Sequence, residues 1–214
     1  MSVTSGAVEV AHIDDACLVA VKPSGMLSVP GRGEAGRDCL AARVQAEWPD
    51  ALVVHRLDMS TSGLMLFARG AEMQRALSIA FADRRVGKRY VAVVDGVLEP
   101  AQGEIDLPLA ADWPNRPKQR VDAEHGKPSL TRYRVVAQAA DGAWSRVELE
   151  PVTGRAHQLR VHLNARGHAI LGDALYASAP VLARAERLLL HATELDFTHP
   201  ITGAAISVAN APPF

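Results

Sequence analysis

The apolar residues of this chain fall in short runs that follow one another closely, and this pattern limits the fold most. About ten such runs, bounded by Gly, Pro, Asn or Asp, predict short strands, among them two separate strands at residues 188–191 and 194–197. Helical spacing of apolar residues occurs at residues 37–48, at residues 73–81 and in a segment that starts near Arg155. Because the strands do not alternate with helices, we expect an α+β fold. Its mixed, mostly antiparallel central sheet would carry a few flanking helices, long loops and a cleft.

The length and composition suit one compact domain. The chain has 214 residues, of which 48% are hydrophobic and 22% charged, and a chain of this size can bury a substantial core. No internal repeat or low-complexity linker marks a boundary. We therefore expect a single domain over residues 1–214, with room for two lobes.

Neither a targeting segment nor thiol chemistry is indicated. The N-terminus has no basic segment followed by an apolar stretch, and no window approaches the roughly 18 apolar residues that span a bilayer. We therefore expect a cytoplasmic protein. Cys17 and Cys39 belong to no CxxC motif and to no run with His, which favours free buried thiols over a metal site.

Positive charge is clustered, although the formal net charge is only -1. Arginine dominates the 23 basic residues, and clusters occur at residues 84–89, 116–120 and 155–166. The planar guanidinium group matches phosphate better than an ammonium group does, so these clusters could bind nucleic acid locally. A solvated surface in a chain that prefers Arg to Lys explains the clusters equally well.

The segment HRLDMSTSG at residues 55–63 places His55, Arg56 and Asp58 between two apolar runs. Segments that connect core strands often carry binding and catalytic groups. The alternative is a purely structural turn, in which Asp58 caps the residues that follow it and Gly63 provides backbone freedom.

A second polar cluster is TGRAHQLRVHL at residues 153–163. On a helix that starts near Arg155, we expect Arg155, Gln158 and His162 along one polar face, beside an apolar face. Such a helix could present Arg and His to a cleft, or it could simply carry a solvated face. His157 and His162 are not at the i, i+4 spacing that places two imidazoles on one metal, so no metal site is predicted.

Two further segments contain candidate residues. Tyr90 follows two basic residues at the start of a predicted strand, and such a Tyr is usually a core aromatic with its hydroxyl at the edge. Residues 107–127 are rich in Pro, and we expect a long irregular loop that carries Arg116, Lys118 and Arg120. Loops of this length in a compact domain are often functional.

Taken together, these segments resemble the RluA family of pseudouridine synthases. The likeness rests on HRLDxxTSGL at residues 55–64, a Lys-x-Tyr strand at residues 88–90 and TGRxHQLRxH at residues 153–162. It extends from about His12 to the C-terminus. In addition, DWPNRPKQR at residues 112–120 resembles the subgroup that acts on both large-subunit rRNA and the tRNA anticodon stem-loop.

The resemblance implies an isomerase without cofactor or metal. Such an enzyme breaks the N-glycosidic bond of a uridine in structured RNA, rotates the base and rejoins it through C5. By matching positions, Asp58 is the catalytic aspartate, Tyr90 the active-site tyrosine and Arg155 the arginine that pairs with the aspartate. A carboxylate beside C1′ or C2′ can stabilise positive charge on the sugar, attack the sugar or move a proton. A neighbouring guanidinium would fix that carboxylate and favour its ionised form.

RNA contacts are expected from the same segments. The target uridine must leave its stack, and Arg56 could contact phosphate or fill the vacated space. The residues expected to bind RNA are His55, Arg56, Arg116, Lys118, Arg120 and His162. Many relatives carry an N-terminal RNA-binding module, for which this chain leaves no space. We therefore expect a monomer whose catalytic domain itself recognises a short stem-loop.

Two other functions fit these residues. A non-catalytic RNA-binding protein on the same fold would bind RNA without isomerising uridine. A hydrolase such as a nuclease could use Asp58 with His55. It would break down its substrate, whereas isomerisation leaves the mass of the RNA unchanged.

Overall fold

The computed structural model describes residues 7–214 and contains many more strands than helices. The strands are β1 (Val10–Ile13), β2 (Cys17–Lys22), β3 (Ala51–Val53), β4 (Ser62–Arg69), β5 (Gly87–Asp95), β6 (Gln102–Asp106), β7 (Leu109–Ala111), β8 (Gln119–Val121), β9 (Leu130–Gln138), β10 (Trp144–Pro151), β11 (Leu190–Thr198) and β12 (Ala205–Ala209). The helices are α1 (Leu40–Glu47), α2 (Ala71–Ala82), α3 (Gln158–Ala165) and α4 (Ala179–Leu182).

The predicted α+β class is confirmed, with a mixed sheet and few helices. Antiparallel pairing joins β2 to β1 and β4, β10 to β5 and β9, and β11 to β12. The two strands predicted at residues 188–191 and 194–197 are one continuous strand, β11, because Ala192 and Thr193 between them continue the extended backbone instead of turning. Strand β6 was not predicted, since it is short and mostly polar.

The contacts between Cα atoms that are close in space group the chain into two compact units. Among the described residues, unit 1 contains residues 7–86 and 194–211, and unit 2 contains residues 87–193 and 212–214. Within residues 7–214, no helix is long and apolar enough to span a membrane.

Unit 1 is built on two strands that are buried almost completely. Strand β2 pairs with both β1 and β4, and the continuous apolar runs of β2 and β4 fill the interior. Helix α2 packs Leu77 and Ala80 against this core. Phe67 and Leu64 are fully buried, and burial of each such side chain stabilises the fold by about 1.5–3 kcal/mol.

Unit 2 contains a second core, which helix α3 covers. Strands β5, β10, β9 and β6 pair in that order, and each pair is antiparallel. Helix α3 packs Leu159 and Leu163 into the cluster that includes Val147 and Leu149 of β10. Strands β7 and β8 form a separate two-stranded sheet.

The turn between β1 and β2 is organised by the carboxylate of Asp14. Its Oδ1 accepts hydrogen bonds from Ala16 N (2.8 Å) and Cys17 N (2.9 Å), and its Oδ2 lies 2.8 Å from His12 Nε2 and 3.4 Å from His199 Nε2. Desolvation alone would raise the pKa of Asp14. The hydrogen bonds and the charge of His199 outweigh it, and the pKa of Asp14 lies well below its usual value of 3.8.

We predict that Asp14→Asn destabilises unit 1 by roughly 1 kcal/mol at neutral pH and by less in acid. The unfolded carboxyl takes up a proton near pH 4, whereas the native carboxyl stays ionised to lower pH. The stabilisation by Asp14 is therefore complete above about pH 5 and is lost as the pH falls below about 4. Urea unfolding at pH 7 and pH 3.5 measures the difference.

The matched control for this comparison is Asp15→Asn, because Asp15 is the exposed neighbour of Asp14. Its effect should be small at both pH values. An Asp14→Asn penalty that is the same at pH 7 and pH 3.5 would contradict the assignment.

Candidate active site

Asp58 lies in a tight turn between β3 and β4 of unit 1. Thr61 N donates to Asp58 O (3.1 Å) and closes the turn over Met59 and Ser60. The Asp58 side chain is partly buried, while Met59 is exposed. The backbone of the turn thus holds a carboxylate at the edge of the unit 1 core.

The ammonium group of Lys22, at the end of β2, binds the backbone of this turn. Lys22 is fully buried, and its Nζ donates to Met26 O (2.7 Å), Pro23 O (2.9 Å) and Met59 O (2.9 Å). A buried charge is tolerated only when it is compensated by polar partners. The three carbonyls provide these partners and join the Asp58 turn to the segment after β2.

Two serines add further bonds between the same segments. Ser24 Oγ donates to Ser60 O (2.7 Å). The buried Ser28 Oγ donates to Leu57 O (2.7 Å) and accepts from Leu57 N (3.0 Å). The residues on both sides of Asp58 are therefore bonded through their backbone. Lys22, Ser24 and Ser28 were not among the candidates predicted from the sequence, although a Lys that ends an otherwise apolar strand was a usable signal.

His55 and Arg56, both expected to bind RNA, occupy different environments. His55 Nε2 accepts from Leu66 N (2.9 Å), and its ring stacks on Phe81 at 4.5 Å. These contacts attach the start of the turn to β4 and α2. Arg56 is exposed, so its guanidinium is open to solvent next to Asp58.

We predict that Lys22→Met lowers the free energy of unfolding by roughly 3 kcal/mol and also lowers enzymatic activity at temperatures where the variant is folded. Each hydrogen bond from a charged donor contributes roughly 1.5–3 kcal/mol, and the released carbonyls stay poorly solvated. Chemical denaturation and an activity assay on RNA measure the two effects. Lys127→Met, at an exposed site, is the control, and an equal loss in both variants would contradict the role of Lys22.

In unit 2, Tyr90 is the fourth residue of β5. Its backbone pairs with Leu149 of β10, and its partly buried side chain packs against the unit 2 core. Its role as the active-site tyrosine stays a prediction.

The TGRAHQ segment is organised by Gln158, and Arg155 lies outside the helix. Gln158 Oε1 accepts from Thr153 Oγ1 (2.7 Å) and Arg155 N (3.1 Å), and its Nε2 donates to Leu130 O (3.0 Å). Helix α3 begins at Gln158 instead of near Arg155, because Gln158 binds the preceding backbone and His157 has a left-handed conformation (φ 55°). Arg155 is exposed, and its Nε donates to Pro128 O at 3.3 Å.

His162 is an internal residue in this structure and not part of an open polar face. It is fully buried; Nε2 donates to Leu107 O (3.0 Å) and Nδ1 accepts from Thr131 Oγ1 (2.9 Å). Burial lowers the pKa of His162, and the bond to Leu107 O and the charge of Asp106 oppose this shift only in part. The ring is neutral and enclosed, which corrects the expectation that His162 contacts RNA.

A buried ion pair follows on α3. Arg160 Nε and a second guanidinium nitrogen donate to the two oxygens of Asp173 at 2.8 and 2.6 Å. The Arg160 guanidinium also lies over the Tyr176 ring, 5.1 Å from its centroid. In the sequence, Arg160 belongs to a basic cluster and could not be singled out, because the amino-acid sequence does not show which Arg of a cluster forms an ion pair.

Residues 109–121 form a β-hairpin, which we call the Trp113 hairpin. This corrects the expectation of an irregular loop: β7 and β8 pair antiparallel, and a 3₁₀ turn, Trp113–Asn115, closes the tip. Local hydrogen bonds such as Lys118 N to Asn115 O (3.0 Å) order the tip in spite of its prolines. Trp113 is 66% exposed, and the Arg116 guanidinium stacks on it at 4.5 Å.

Two clusters in unit 1 resemble cofactor or metal sites. His12, Asp14 and Cys17 bring one ligand atom each within 4.8 Å of one another. The Cys17 thiol donates to Asp14 (3.7 Å), and burial, with the Asp14 charge, raises the pKa of Cys17 to about 12. In this structure, hydrogen-bond contacts to Asp14 join His12 and Cys17 in this cluster. The glycine spacing of GRGEAG, residues 31–36, is that of a dinucleotide-binding loop, but Gly31 N donates to Gly36 O and closes the loop on itself.

Comparison with known proteins identifies the family. A model of the RNA pseudouridylate synthase family matches residues 16–165. The chain is 53% identical over 194 residues to the dual-specificity RNA pseudouridine synthase RluA of Escherichia coli K12, covering 91% of this chain and 88% of that protein. It is 52% identical over 193 residues to the protein of the same name from Vibrio cholerae, covering 90% and 78%.

A solved structure supports the same assignment. The human RNA pseudouridylate synthase domain containing 1 superposes with a TM-score of 0.82 at 27% identity, covering 100% of this chain and 87% of that chain. The family model matches well over half of the chain, and the bacterial relatives share about half of its residues. The chain therefore belongs to the RNA pseudouridylate synthase family.

Proposed function

We propose that this pseudouridine synthase isomerises specific uridines in two classes of structured RNA, large-subunit rRNA and the tRNA anticodon stem-loop. The observation that carries the proposal is the identity of 53% with a dual-specificity RNA pseudouridine synthase over 88% of its length. The segment at residues 112–120, which resembles that subgroup, forms the exposed tip of the Trp113 hairpin and supports the same substrates.

The chemistry that we propose assigns Asp58 as the catalytic carboxylate, with Tyr90 and Arg155 as its partners. The bond from C1′ to N1 of uridine breaks and a bond from C1′ to C5 forms, while C5 loses its proton to solvent and N1 gains one. Positive charge develops on the sugar when the first bond breaks, and a fixed carboxylate can stabilise that charge or react with the sugar. Support for Asp58 comes from its position on a turn whose backbone is bonded on both sides.

Both units would contribute to one catalytic domain. The family model covers parts of both, which supports a single domain over the chain. We further propose that the enzyme acts as a monomer in the cytoplasm, where both substrate RNAs are found. Light scattering on the purified protein measures the oligomeric state.

We predict that Asp58→Asn abolishes isomerisation and leaves RNA binding intact. The amide has the size of the carboxylate but no charge, and removal of a group that acts in the transition state lowers kcat by roughly 10³-fold or more. Release of hydrogen from C5 of labelled uridine in RNA measures the rate, and a filter-binding assay measures the affinity.

Asp15→Asn is the control and should retain wild-type activity. If wild type releases no hydrogen from rRNA or from the stem-loop but still binds RNA, the protein is a binding protein and not an isomerase. Shortened RNA products would instead indicate a hydrolase.

The Trp113 hairpin supplies the expected phosphate contacts. Arg120 is paired with Asp122 at 2.9 Å, so part of its charge is already neutralised. Arg116 is exposed and lies at the tip, and Lys118 immediately precedes the returning strand β8. Exposed bases of a loop can stack on an aromatic ring such as that of Trp113.

We predict that Arg116→Ala combined with Lys118→Ala weakens RNA binding and its salt dependence together. Each phosphate contact changes the slope of log affinity against log salt by roughly 0.7–0.9, so loss of two contacts should reduce the slope by about 1.5. The pair Arg37→Ala and Arg134→Ala removes the same charge from exposed sites elsewhere. An equal change of slope in both double variants would show that the effect is one of net charge only.

A further inference from the structure

The Trp113 hairpin needs an anchor outside itself. Its strands are three residues long, and they form a sheet that is separate from the main one. A two-stranded hairpin of this length is marginally stable on its own. At its base, Leu109 is buried. The exposed tip lies several residues away from that contact.

The hydroxyl of Tyr176 provides a second anchor close to the tip. Tyr176 Oη accepts a hydrogen bond from Gln119 N (2.8 Å), the first residue of β8, and lies 2.7 Å from His157 Nδ1. A phenol can accept from an amide and donate to an imidazole nitrogen at the same time. One hydroxyl therefore joins the returning strand of the hairpin to the segment before α3.

The position of Tyr176 is itself fixed by a buried ion pair. Asp173 Oδ1 accepts from Leu175 N (2.9 Å) and Tyr176 N (3.2 Å), and both Asp173 oxygens bind Arg160. The side chains of Arg160 and Asp173 are 3% and 1% exposed. Because the backbone of Tyr176 is bonded to a buried carboxylate and its ring lies beneath Arg160, the hydroxyl has a defined place.

We propose that Tyr176 is a positioning residue that holds the Trp113 hairpin in its RNA-binding orientation through the hydrogen bonds of its hydroxyl with Gln119 and His157. The inference rests on the proposed function of the hairpin in RNA binding. It predicts that loss of the hydroxyl alone, with the ring retained, weakens RNA recognition more than it slows the chemical step.

The first test needs no RNA. In full-length Tyr176→Phe, the ring can still pack under Arg160, but Gln119 N loses its acceptor. Amide hydrogen exchange should show faster exchange at Gln119, by about five- to ten-fold for the loss of one hydrogen bond, with the thermal midpoint close to that of wild type. Tyr133→Phe, a buried Tyr in β9 of the same unit, is the matched control and should leave Gln119 unchanged.

The second test measures isomerisation of an anticodon stem-loop RNA. Tyr176→Phe should raise KM about five- to ten-fold and change kcat less than two-fold, on the scale of one hydrogen bond. In the background of Arg116→Ala and Lys118→Ala, the same substitution should have almost no further effect on KM. This non-additivity is expected only if the hydroxyl acts through the hairpin.

The outcomes separate the two proposals. An unchanged exchange rate at Gln119, an unchanged KM, or a KM effect that persists in the hairpin double variant would overturn the positioning role, as would equal losses in KM and thermal midpoint for Tyr133→Phe. If wild type forms no pseudouridine in the stem-loop, the proposed function fails. In that case RNA binding under the same variants still tests whether Tyr176 positions the hairpin.

Discussion

A buried ammonium group with three carbonyl acceptors holds the turn that carries Asp58. Taking the Lys22 charge out of water is costly, and the hydrogen bonds to Met26 O, Pro23 O and Met59 O offset part of that cost. The same physical solution occurs within unit 2, where the Arg160–Asp173 pair fixes the backbone of Tyr176. In each unit, a buried charged side chain forms hydrogen bonds with the backbone of a loop and holds that loop in place.

The fold class could be predicted from the sequence because strand signals are local. The apolar runs of β2 and β4 and the alternating pattern of β10 identify these strands without any knowledge of their neighbours. The prediction failed where the pairing or the continuity of a segment, and not its apolar pattern, decides the structure. The Pro-rich segment at residues 107–127 contains a hairpin because β7 and β8 pair with each other, and prolines at the tip do not prevent that pairing. The two strands predicted at residues 188–191 and 194–197 are one because Ala192 and Thr193 continue in an extended conformation.

From the sequence, the candidate site could be recognised only as separate motifs, without the contacts that hold them. The HRLD segment was recognised between two core strands, but its anchor Lys22 lies 37 residues from Met59 in sequence, and no local pattern shows such a bond. For the same reason His162, whose partner Thr131 is 31 residues away, could not be distinguished from a solvent-facing histidine. The helix was expected to include Arg155, since periodicity does not reveal that Gln158 turns back on the preceding backbone.

The anchor of the Asp58 turn recognises main-chain oxygens, and this affects how the protein can change over evolutionary time. A carbonyl is present whatever side chain its residue carries, so positions 26 and 59 can be exchanged without removing an acceptor from Lys22. The exposed side chain of Met59 next to Asp58 is therefore free to diversify. New substrate preferences could arise at this rim while Asp58 stays in its present position.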